Sequence, residues 1–408
     1  MRRSLMNPVC RWLGRRQFIA AAFFILLPGA LTAAANPQII KVYLQGGQSN
    51  ADGRAPTNGL SATLRSPQPD VPYYYYINGA AANGDGTLGT LATLRPGGSA
   101  GVGVTGLAFG PELTFGRALA DYYAVSNDVS TNTVMVAIIK YAHGGTSLAT
   151  NWAANGNSTT NGEGADYIKF QKVLSAGWAK LAAAYPGATM ELDGMIWVQG
   201  ETDIDLSSGQ AGGTPNPAVA PAYGANLMRF INDVRLTCAT NIPYGTNLPF
   251  FLSRISTNQT AFSLPANPAY PYFLTVRSNQ AFVAASMTNV SMLDTDSGQF
   301  SVGTIGPETG YGNQHFDTGG QQALGTAFAQ AMIAALPKAQ LQAPQAAGSG
   351  WNLGFTGSSG RKYFLERSTN LPGSWESLTN VILGPAAISN FTDATPPDGG
   401  AFYRVRTN

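Results

Sequence analysis

Ser49 is the residue of this sequence whose surroundings best suit a nucleophile. It follows an apolar, β-branched run over residues 39–44, which is typical of a buried strand, and a break at Gly46-Gly47. The carboxyl ends of strands in an open α/β sheet border the ligand crevice, and glycines there let backbone N–H groups approach a substrate oxygen. The pattern therefore predicts a serine nucleophile, although the same residues also suit a simple turn.

Three further residues could complete acyl-transfer chemistry around this serine. Gly110 opens a predicted helix, where its backbone N–H is placed to donate to an anion. The side-chain amide of Gln199 follows a predicted strand and could donate to developing negative charge. His315 precedes a predicted helix and is the only histidine late in the domain, so it is the candidate base.

Apolar runs that alternate with helical patterns predict the elements that position these residues. The run over residues 133–141 has no polar alternation, as in a strand buried on both faces. Strands alternating with helices imply a parallel sheet with helices on both faces. The predicted strands cover residues 71–77, 133–141, 194–198, 248–255 and 290–293, and the predicted helices cover residues 110–123, 165–185, 225–236, 275–286 and 319–336.

The first 35 residues have the composition of a secretory signal. Five arginines and no acid come first, then an apolar run over residues 18–27 that is too short to span a bilayer, then small residues at 33–35. Arg15-Arg16 and the next residues resemble a twin-arginine export motif. We therefore predict a secreted or periplasmic protein with no membrane span. Without this segment Lys+Arg falls from 24 to 19 against 22 acids, about −3, which gives no support for nucleic-acid binding.

The C-terminal part of the chain has a different composition. Residues 338–350 are rich in Ala, Gln, Pro, Gly and Ser and predict a linker. Residues 351–408 contain five short strand patterns separated by turns, which predict a small β-sandwich. This module has no histidine and no convincing acid/base pair. Binding to a polysaccharide or cell surface, anchoring, or packing are therefore its predicted roles.

Several short motifs resemble one known family. Gly47-Gln48-Ser49-Asn50 resembles the first sequence block of the SGNH hydrolases, in the form found in sialate O-acetylesterases and in the acetylxylan esterases of carbohydrate esterase family 6. The segment QGETD at residues 199–203 resembles the third block of that family, and HFDTGGQ at residues 315–321 resembles the last. The blocks occur in the expected order between residues 37 and 336, so the resemblance covers most of the chain.

This resemblance implies a fold and an activity. It implies a three-layer α/β/α, flavodoxin-like SGNH domain over residues 37–337. It also implies a serine esterase that removes O-acetyl groups from carbohydrates without a cofactor or metal ion. In such an enzyme Ser49 is the nucleophile, His315 is the general base, and Gly110 and Gln199 are the oxyanion donors.

The sequence departs from the family pattern beside the histidine. The family has an aspartate three residues before its catalytic histidine, where this chain has Gly312. A serine–histidine pair needs an acceptor that orients the imidazole. The candidates are Asp294, Asp296, Glu308, or a main-chain carbonyl from residues 311–314, and the sequence does not distinguish them.

The resemblance also suggests residues that border the substrate. A Gly-Gly-Thr segment followed by a tryptophan borders the active site in the similar esterases, which makes Gly145 and Thr146 candidates for substrate binding. Glu201 in the third block is a further candidate, although it equally suits a turn or cap. His143, alone on the same loop, is interpreted as a polar surface or pocket-wall residue.

Two other functions compete with the esterase hypothesis. A carbohydrate-binding protein that has lost catalysis is suggested by Gly312 and by the C-terminal module. A metal-dependent deacetylase is disfavoured, because two histidines and two cysteines offer few nitrogen or sulfur ligands. Cys10 lies in the predicted signal, so Cys238 has no disulfide partner, and we interpret it as a small buried residue.

Overall fold

The computed structural model describes residues 39–101, 106–124, 134–154, 162–210, 212–241, 247–303, 313–371 and 373–407. The predicted signal at residues 1–35 lies outside these ranges, so it stays a prediction. Within them, none of the helices combines the length and the apolar character that crossing a bilayer requires.

The described residues form helices and strands along the whole chain. The strands are β1 (Ile39–Gly47), β2 (Ala55–Pro56), β3 (Gln68–Ile77), β4 (Thr90–Leu94), β5 (Ala108–Phe109), β6 (Val134–Ala142), β7 (Thr189–Val198), β8 (Phe250–Ser253), β9 (Val290–Leu293), β10 (Val302–Gly303), β11 (His315–Phe316), β12 (Gln340–Leu341), β13 (Gln345–Ala347), β14 (Gly350–Thr356), β15 (Lys362–Ser368), β16 (Glu376–Ile382), β17 (Ile388–Asp393) and β18 (Phe402–Thr407). The helices are α1 (Ser49–Asp52), α2 (Ala62–Arg65), α3 (Glu112–Ala124), α4 (Ala165–Ala184), α5 (Glu201–Ser208), α6 (Val219–Asn241), α7 (Thr260–Ser263), α8 (Tyr270–Ser286) and α9 (Thr318–Ala335).

A seven-stranded sheet in the order β4-β3-β6-β1-β7-β8-β9 organises the larger part of the molecule. Every neighbouring pair is parallel except β3 and β4. The side chains of β1 alternate between two cores: Val42 and Leu44 pack with α4, α6 and α8, whereas Tyr43 packs with α3 and α9. Helices therefore cover both faces of the sheet, which confirms the predicted α/β/α fold.

The predicted elements occur close to their expected positions, with differences that have local causes. The last strand of the sheet matches its predicted range, residues 290–293. The strand predicted at residues 248–255 is shorter, because Pro249 has no N–H to pair at its start. The helix predicted at residues 225–236 is longer at both ends. The predicted and observed elements therefore agree in type and differ only in where they begin and end.

The C-terminal residues form two small antiparallel sheets. Strands β12 and β13 both pair with β14, which also pairs with β17, and a second sheet has the order β16-β15-β18. Within the predicted linker at residues 338–350, residues 340–341 form β12 and residues 345–347 form β13. This C-terminal module contacts the larger sheet: Lys41 Nζ donates to Ser359 Oγ over 2.6 Å, and Arg361 Nη1 donates to the Tyr122 carbonyl over 2.8 Å.

Candidate active site

Ser49 lies just beyond the carboxyl end of the central strand. Gly47 ends β1 with a φ of +133°, and a Cβ at this position would lie 2.1 Å from the Val198 carbonyl oxygen on β7. Only glycine fits there, since a side chain would be both strained and blocked. Gln48 N then donates to the same carbonyl over 3.0 Å, and α1 begins at Ser49, which is 6% exposed.

His315, the predicted base, lies beside this serine. The distance from His315 Nε2 to Ser49 Oγ is 2.9 Å, across a sequence separation of 266 residues. The histidine is in the short strand β11, which pairs with β10, and it is 9% exposed. This is the geometry in which an imidazole takes the proton of a serine hydroxyl.

Asn50 holds the backbone on both sides of this histidine. Its Oδ1 accepts from Phe316 N over 3.0 Å, and its Nδ2 donates to the Gln314 carbonyl over 3.1 Å. Gln259 Nε2 donates to the same carbonyl over 2.8 Å, and both amide side chains are fully buried. The position of His315 is therefore fixed through its neighbours in the chain.

Glu201 belongs to this buried network. Its Oε1 accepts from Asn50 Nδ2 over 2.7 Å and from Gln259 Nε2 over 3.0 Å, and the residue is 4% exposed. These contacts place Glu201 behind the histidine segment, rather than on a surface that a sugar could reach. The predicted role of Glu201 in substrate binding has no support in this geometry.

The predicted orienting carboxylates lie elsewhere or outside the described residues. Asp294 is 3.5 Å from Arg254, with 62% of its side chain exposed. Asp296 makes a two-bond ion pair with Arg277, at 2.9 and 2.7 Å. Burial would raise the pKa of Asp296, but hydrogen bonds from Arg277 and a backbone amide outweigh burial and lower it to about 2. Asp296 is thus committed to an arginine, whereas Asp294 is a mostly exposed carboxylate in a long ion pair. Glu308 lies outside the described residues.

Gly110 does not offer a free N–H. Its N–H donates to Glu112 Oε1 over 2.9 Å, so the helix terminus is capped within the protein. A Cβ on Gly110 would lie 3.0 Å from the Ala51 carbonyl oxygen and 3.1 Å from Gly53. The oxyanion role predicted for Gly110 therefore has no support in this geometry, because its N–H is hydrogen-bonded within the protein.

The side-chain amide of Gln199 is also hydrogen-bonded within the protein. Its Nε2 lies 2.6 Å from Asp203 Oδ2 and 3.2 Å from both Gln48 Oε1 and the Thr146 carbonyl. A primary amide has two hydrogens, and the residue is only 1% exposed, so it has none left for an oxyanion in this arrangement. Gln199 instead joins the loop after β6 to the segment that carries the nucleophile.

Asp203 anchors the same loop. Its carboxylate accepts from Leu148 N over 2.9 Å and from Ala149 N over 3.1 Å, as well as from Gln199. Burial raises the pKa of Asp203 to about 6, although the hydrogen bonds from Gln199 and the two amides act in the opposite direction. Asp203, which lies in the third family block, thus positions the loop after β6.

Gly144, in the loop after β6, borders the nucleophile. A Cβ on Gly144 would lie 3.4 Å from Ser49 Cβ and 2.1 Å from Arg54 Nη2. Its backbone N–H donates to no residue that the structure describes. Gly144, which the sequence analysis did not single out, therefore lies against the serine.

The two other predicted substrate-binding residues differ in exposure. Gly145 has a φ of +74° and open space where a Cβ would be, so it lies on the surface of the loop. Thr146 is 2% exposed: its Oγ1 donates to the His143 carbonyl over 2.6 Å and accepts from Trp152 Nε1 over 2.8 Å. Thr146 therefore shapes the loop, and Gly145 is the residue that a ligand could contact.

His143 is part of a second histidine–carboxylate pair. Its Nδ1 lies 2.8 Å from Asp166 Oδ1, and its Nε2 lies 2.8 Å from Asn78 Nδ2. Tyr141 also donates to Asp166. With one third of its side chain exposed, His143 is a half-buried polar residue of the loop after β6.

The described residues contain no cluster of three or more His, Cys, Asp or Glu side chains placed to hold a metal ion. Cys238 is buried and free, as predicted, and burial raises the pKa of its thiol to about 12. A thiol with this pKa is protonated at neutral pH and is a poor nucleophile.

Four residues of the site were missed from the sequence. Asn50 adjoins the serine inside the recognised motif, and Gly144 lies in the recognised Gly-Gly-Thr segment, so the signals were present but were assigned to neighbouring residues. Gln259 and Arg54 carry no local signal, because their importance comes from contacts with segments distant in the chain.

Comparison with known proteins gives a family match over most of the chain. The sequence profile described as "Carbohydrate esterase, sialic acid-specific acetylesterase" matches residues 39–334. No curated protein matches the sequence significantly.

Several solved structures are similar at low sequence identity. The crystal structure of NanS is 13% identical, with a TM-score of 0.49 over 73% of this chain and 98% of NanS. Est24, a carbohydrate acetylesterase from Sinorhizobium meliloti, is 15% identical, with a TM-score of 0.34 over 72% and 98% of the two chains. A putative GDSL-like lipase from Parabacteroides merdae is 12% identical, with a TM-score of 0.36 over 73% and 97%.

The family match confirms the resemblance that the sequence motifs predicted. The match covers the α/β/α part of the chain, from the start of β1 to the last turn of α9. The chain therefore belongs to the carbohydrate esterase family of sialic acid-specific acetylesterases, and it is a carboxylic ester hydrolase.

Proposed function

We propose that the protein is an exported serine esterase that releases acetate from O-acetylated sugars or polysaccharides through an acyl-enzyme on Ser49. The observation that carries this proposal is the 2.9 Å contact between Ser49 Oγ and His315 Nε2 at the carboxyl edge of a parallel sheet. Ligands bind at this edge in open α/β sheets.

The reaction follows from the two side chains. Ser49 Oγ attacks the acetyl carbonyl carbon while its proton passes to His315 Nε2. The bond from that carbon to the sugar oxygen then breaks, and the sugar oxygen takes the proton from His315. Water then attacks the acetyl carbon of the acyl-enzyme and gives one proton to His315. The bond from that carbon to Ser49 Oγ breaks, the serine takes the proton from His315, and acetic acid leaves and ionises in solution. His315 returns every proton that it accepts, and no step needs a cofactor.

The carbonyl oxygen becomes negative in each half of this reaction, so it needs donors nearby. Gly144 is the proposed backbone donor in place of Gly110, because it borders Ser49 and its N–H donates to no other described residue. The loop that carries it is fixed by the hydrogen bonds of Gln199 and Asp203. These two buried residues would therefore act on the oxyanion indirectly, by holding Gly144 in place.

The ring of His315 needs an acceptor for its second nitrogen. Asp296 is paired with Arg277 at 2.7 Å, and Asp294 is mostly exposed beside Arg254, so we propose Glu308 or the main chain of residues 311–314 as the source of that acceptor. The buried clamp of Asn50 and Gln259 supports the backbone of the histidine in either case.

We propose that the first 35 residues direct export and are removed. The arginines, the short apolar run and the small residues that follow support this proposal.

We propose that the C-terminal module attaches the enzyme to polysaccharide. A cleft of about 290 Å³ in the module is lined by Trp375, Arg367, Glu376 and several hydroxyl side chains. An indole ring beside hydrogen-bonding groups suits a sugar ring, which has apolar C–H faces and hydroxyl edges. Arg404 stacks on Trp375, 4.1 Å from its ring centroid, and holds the indole in place.

The esterase proposal is tested with a chromogenic acetyl ester, measured with and without a chelator. We expect turnover that the chelator leaves unchanged and that Ser49→Ala abolishes. Loss of turnover on chelation would favour a metal-dependent deacetylase. An absence of turnover in the unmodified protein, combined with binding to the polysaccharide, would favour a carbohydrate-binding protein.

A further inference from the structure

Arg54 is a buried cation beside the nucleophile that the mechanism above does not use. It follows α1 directly and is 6% exposed. The missing Cβ of Gly144 would lie 2.1 Å from Arg54 Nη2 and 3.4 Å from Ser49 Cβ. The guanidinium and the nucleophile therefore border the same glycine, the one we propose as an oxyanion donor.

The guanidinium has unused hydrogen-bonding capacity. Its one ion pair among the described residues is long, with 3.6 Å between Arg54 Nη2 and Asp52 Oδ2. Its Nη1 is buried and donates to no residue that the structure describes. By contrast, Arg277 makes two bonds of 2.9 and 2.7 Å to Asp296. A buried guanidinium with five hydrogens and so few partners is costly to the folded protein, which points to a role beyond stability.

Arg54 belongs to a buried group of charged side chains. Lys140 pairs with Glu112 at 3.0 Å and donates to the Asp52 carbonyl over 2.7 Å. With Asp52 and Arg54, these side chains form a buried group of two cations and two carboxylates. Asp52 also accepts from a backbone amide, and burial raises its pKa although Lys140 and Arg54 lower it. The positive charge of Arg54 is thus positioned before any substrate binds.

We propose that Arg54 is a catalytic residue that stabilises the acyl oxygen as it becomes negative during attack by Ser49. This inference rests on the proposed esterase mechanism. The two π electrons of the acyl C=O bond move to its oxygen as the bond from Ser49 Oγ forms. Arg54 Nη2 donates a hydrogen bond to that oxygen and keeps its own proton. A charged donor compensates for the amides of Gly110 and Gln199, which are engaged within the protein.

A purely structural role for Arg54, as the counter-charge of Asp52, predicts a different pattern of variants. If the guanidinium only balances Asp52, then Asp52→Asn and Arg54→Met should change stability and activity to similar extents. The double variant Asp52→Asn/Arg54→Met, which removes both charges, should then recover activity. If Arg54 contacts the acyl oxygen, activity should depend on the arginine alone.

The experiment measures kcat, KM and the thermal midpoint for Arg54→Lys, Arg54→Met, Asp52→Asn and the double variant in the full-length protein. Loss of one oxyanion donor lowers kcat by roughly 10²–10³-fold, so we expect this fall in Arg54→Met and in the double variant, with little change in KM. Arg54→Lys should retain part of the rate, and Asp52→Asn should stay within about tenfold of wild type.

A transition-state analogue provides a readout that a structural role would not move. Methylboronic acid forms a tetrahedral anion on a serine nucleophile, and its affinity should fall in Arg54→Met in parallel with kcat/KM. A double variant with a wild-type thermal midpoint and a kcat within about threefold of wild type would overturn the inference. That result would leave the esterase proposal intact, provided that Ser49→Ala is inactive. Activity in Ser49→Ala would instead overturn both proposals.

Discussion

The two ends of the central strand β1 use buried polar residues in different ways. Near its start, Lys41 Nζ lies 2.5 Å from Glu191, 3.0 Å from Asp193 and 2.6 Å from Ser359 of the C-terminal module. Burial would lower the pKa of Lys41, but these carboxylates and Tyr123 raise it overall. At the other end, Ser49 contacts a histidine, and nearby Arg54 keeps unused donors.

This difference indicates what each end contributes. A cation whose donors are all engaged holds two parts of the molecule together, and its loss affects folding. Polar groups at the carboxyl end of a strand that still have unused hydrogen-bond donors are available to a substrate. We therefore expect changes at the Ser49 end to alter kcat, and changes at the Lys41 end to alter stability.

The largest contrast should be between the two histidines. His315→Ala removes the base, and loss of a triad member costs roughly 10⁴–10⁶-fold in kcat. His143→Ala should stay within about tenfold of wild type, because this ring contacts Asp166 and Asn78 rather than the serine. Steady-state rates with one acetyl ester measure both. Equal losses in the two variants would contradict the assignment of the base.

The clamp on the histidine backbone should give the next effect. Asn50→Ala frees the chain on both sides of His315, and displacement of a catalytic group by about 1 Å can cost 10²-fold, so we expect a fall of about 10–100-fold in kcat with little change in KM. Asn58→Ala, at an exposed asparagine, is the matched control and should match wild type. If Asn50→Ala changed KM alone, Asn50 would belong to substrate binding instead.

The C-terminal module should affect stability more than chemistry. Truncation after Pro337 removes Ser359 from Lys41 and Glu191, and each lost hydrogen bond to a charged group costs about 1.5–3 kcal/mol. We expect a lower free energy of unfolding but a kcat for a small ester within about twofold of wild type, since distant sites act independently. Ser359→Ala tests the same contact in the full chain. A folded truncated protein without small-ester activity would contradict this separation.

The smallest expected effect is at Asp205 on α5, a carboxylate with no ion pair among the described residues. Burial, and then Glu201, raise its pKa to about 7, against about 3.9 in an unfolded chain. Between these values the folded state binds more protons, so the free energy of unfolding should fall as pH rises from about 4 to about 7.

Asp205→Asn removes this dependence. The variant should gain stability over wild type at pH 8 and gain none at pH 4, as measured by chemical denaturation. Asp398→Asn, at an exposed residue, is the control and should show no such difference. An unchanged pH dependence in Asp205→Asn would show that this carboxylate is ionised throughout the range.

The sequence predicted the sheet and the serine–histidine pair because both depend on local signals. Residues 39–44 are apolar and β-branched before a glycine break, and His315 lies in a recognisable motif. The oxyanion donors were predicted less well, because a donor is free for a substrate only if no other segment of the chain accepts its hydrogen bond. Gln199 meets Asp203 one helical turn later but also meets Gln48, about 150 residues away in the chain. Arg54 gains its significance only when folding brings Gly144 against it.

Identifying the residue that forms the covalent intermediate tests the proposed Ser49 mechanism directly. The full-length protein is treated with a serine-directed fluorophosphonate, and the modified peptide is located by mass spectrometry. We expect a single adduct on Ser49, lost activity in proportion to labelling, and no adduct in Ser49→Ala. An adduct on another residue that accounts for the lost activity, or acetate release by Ser49→Ala, would contradict the account.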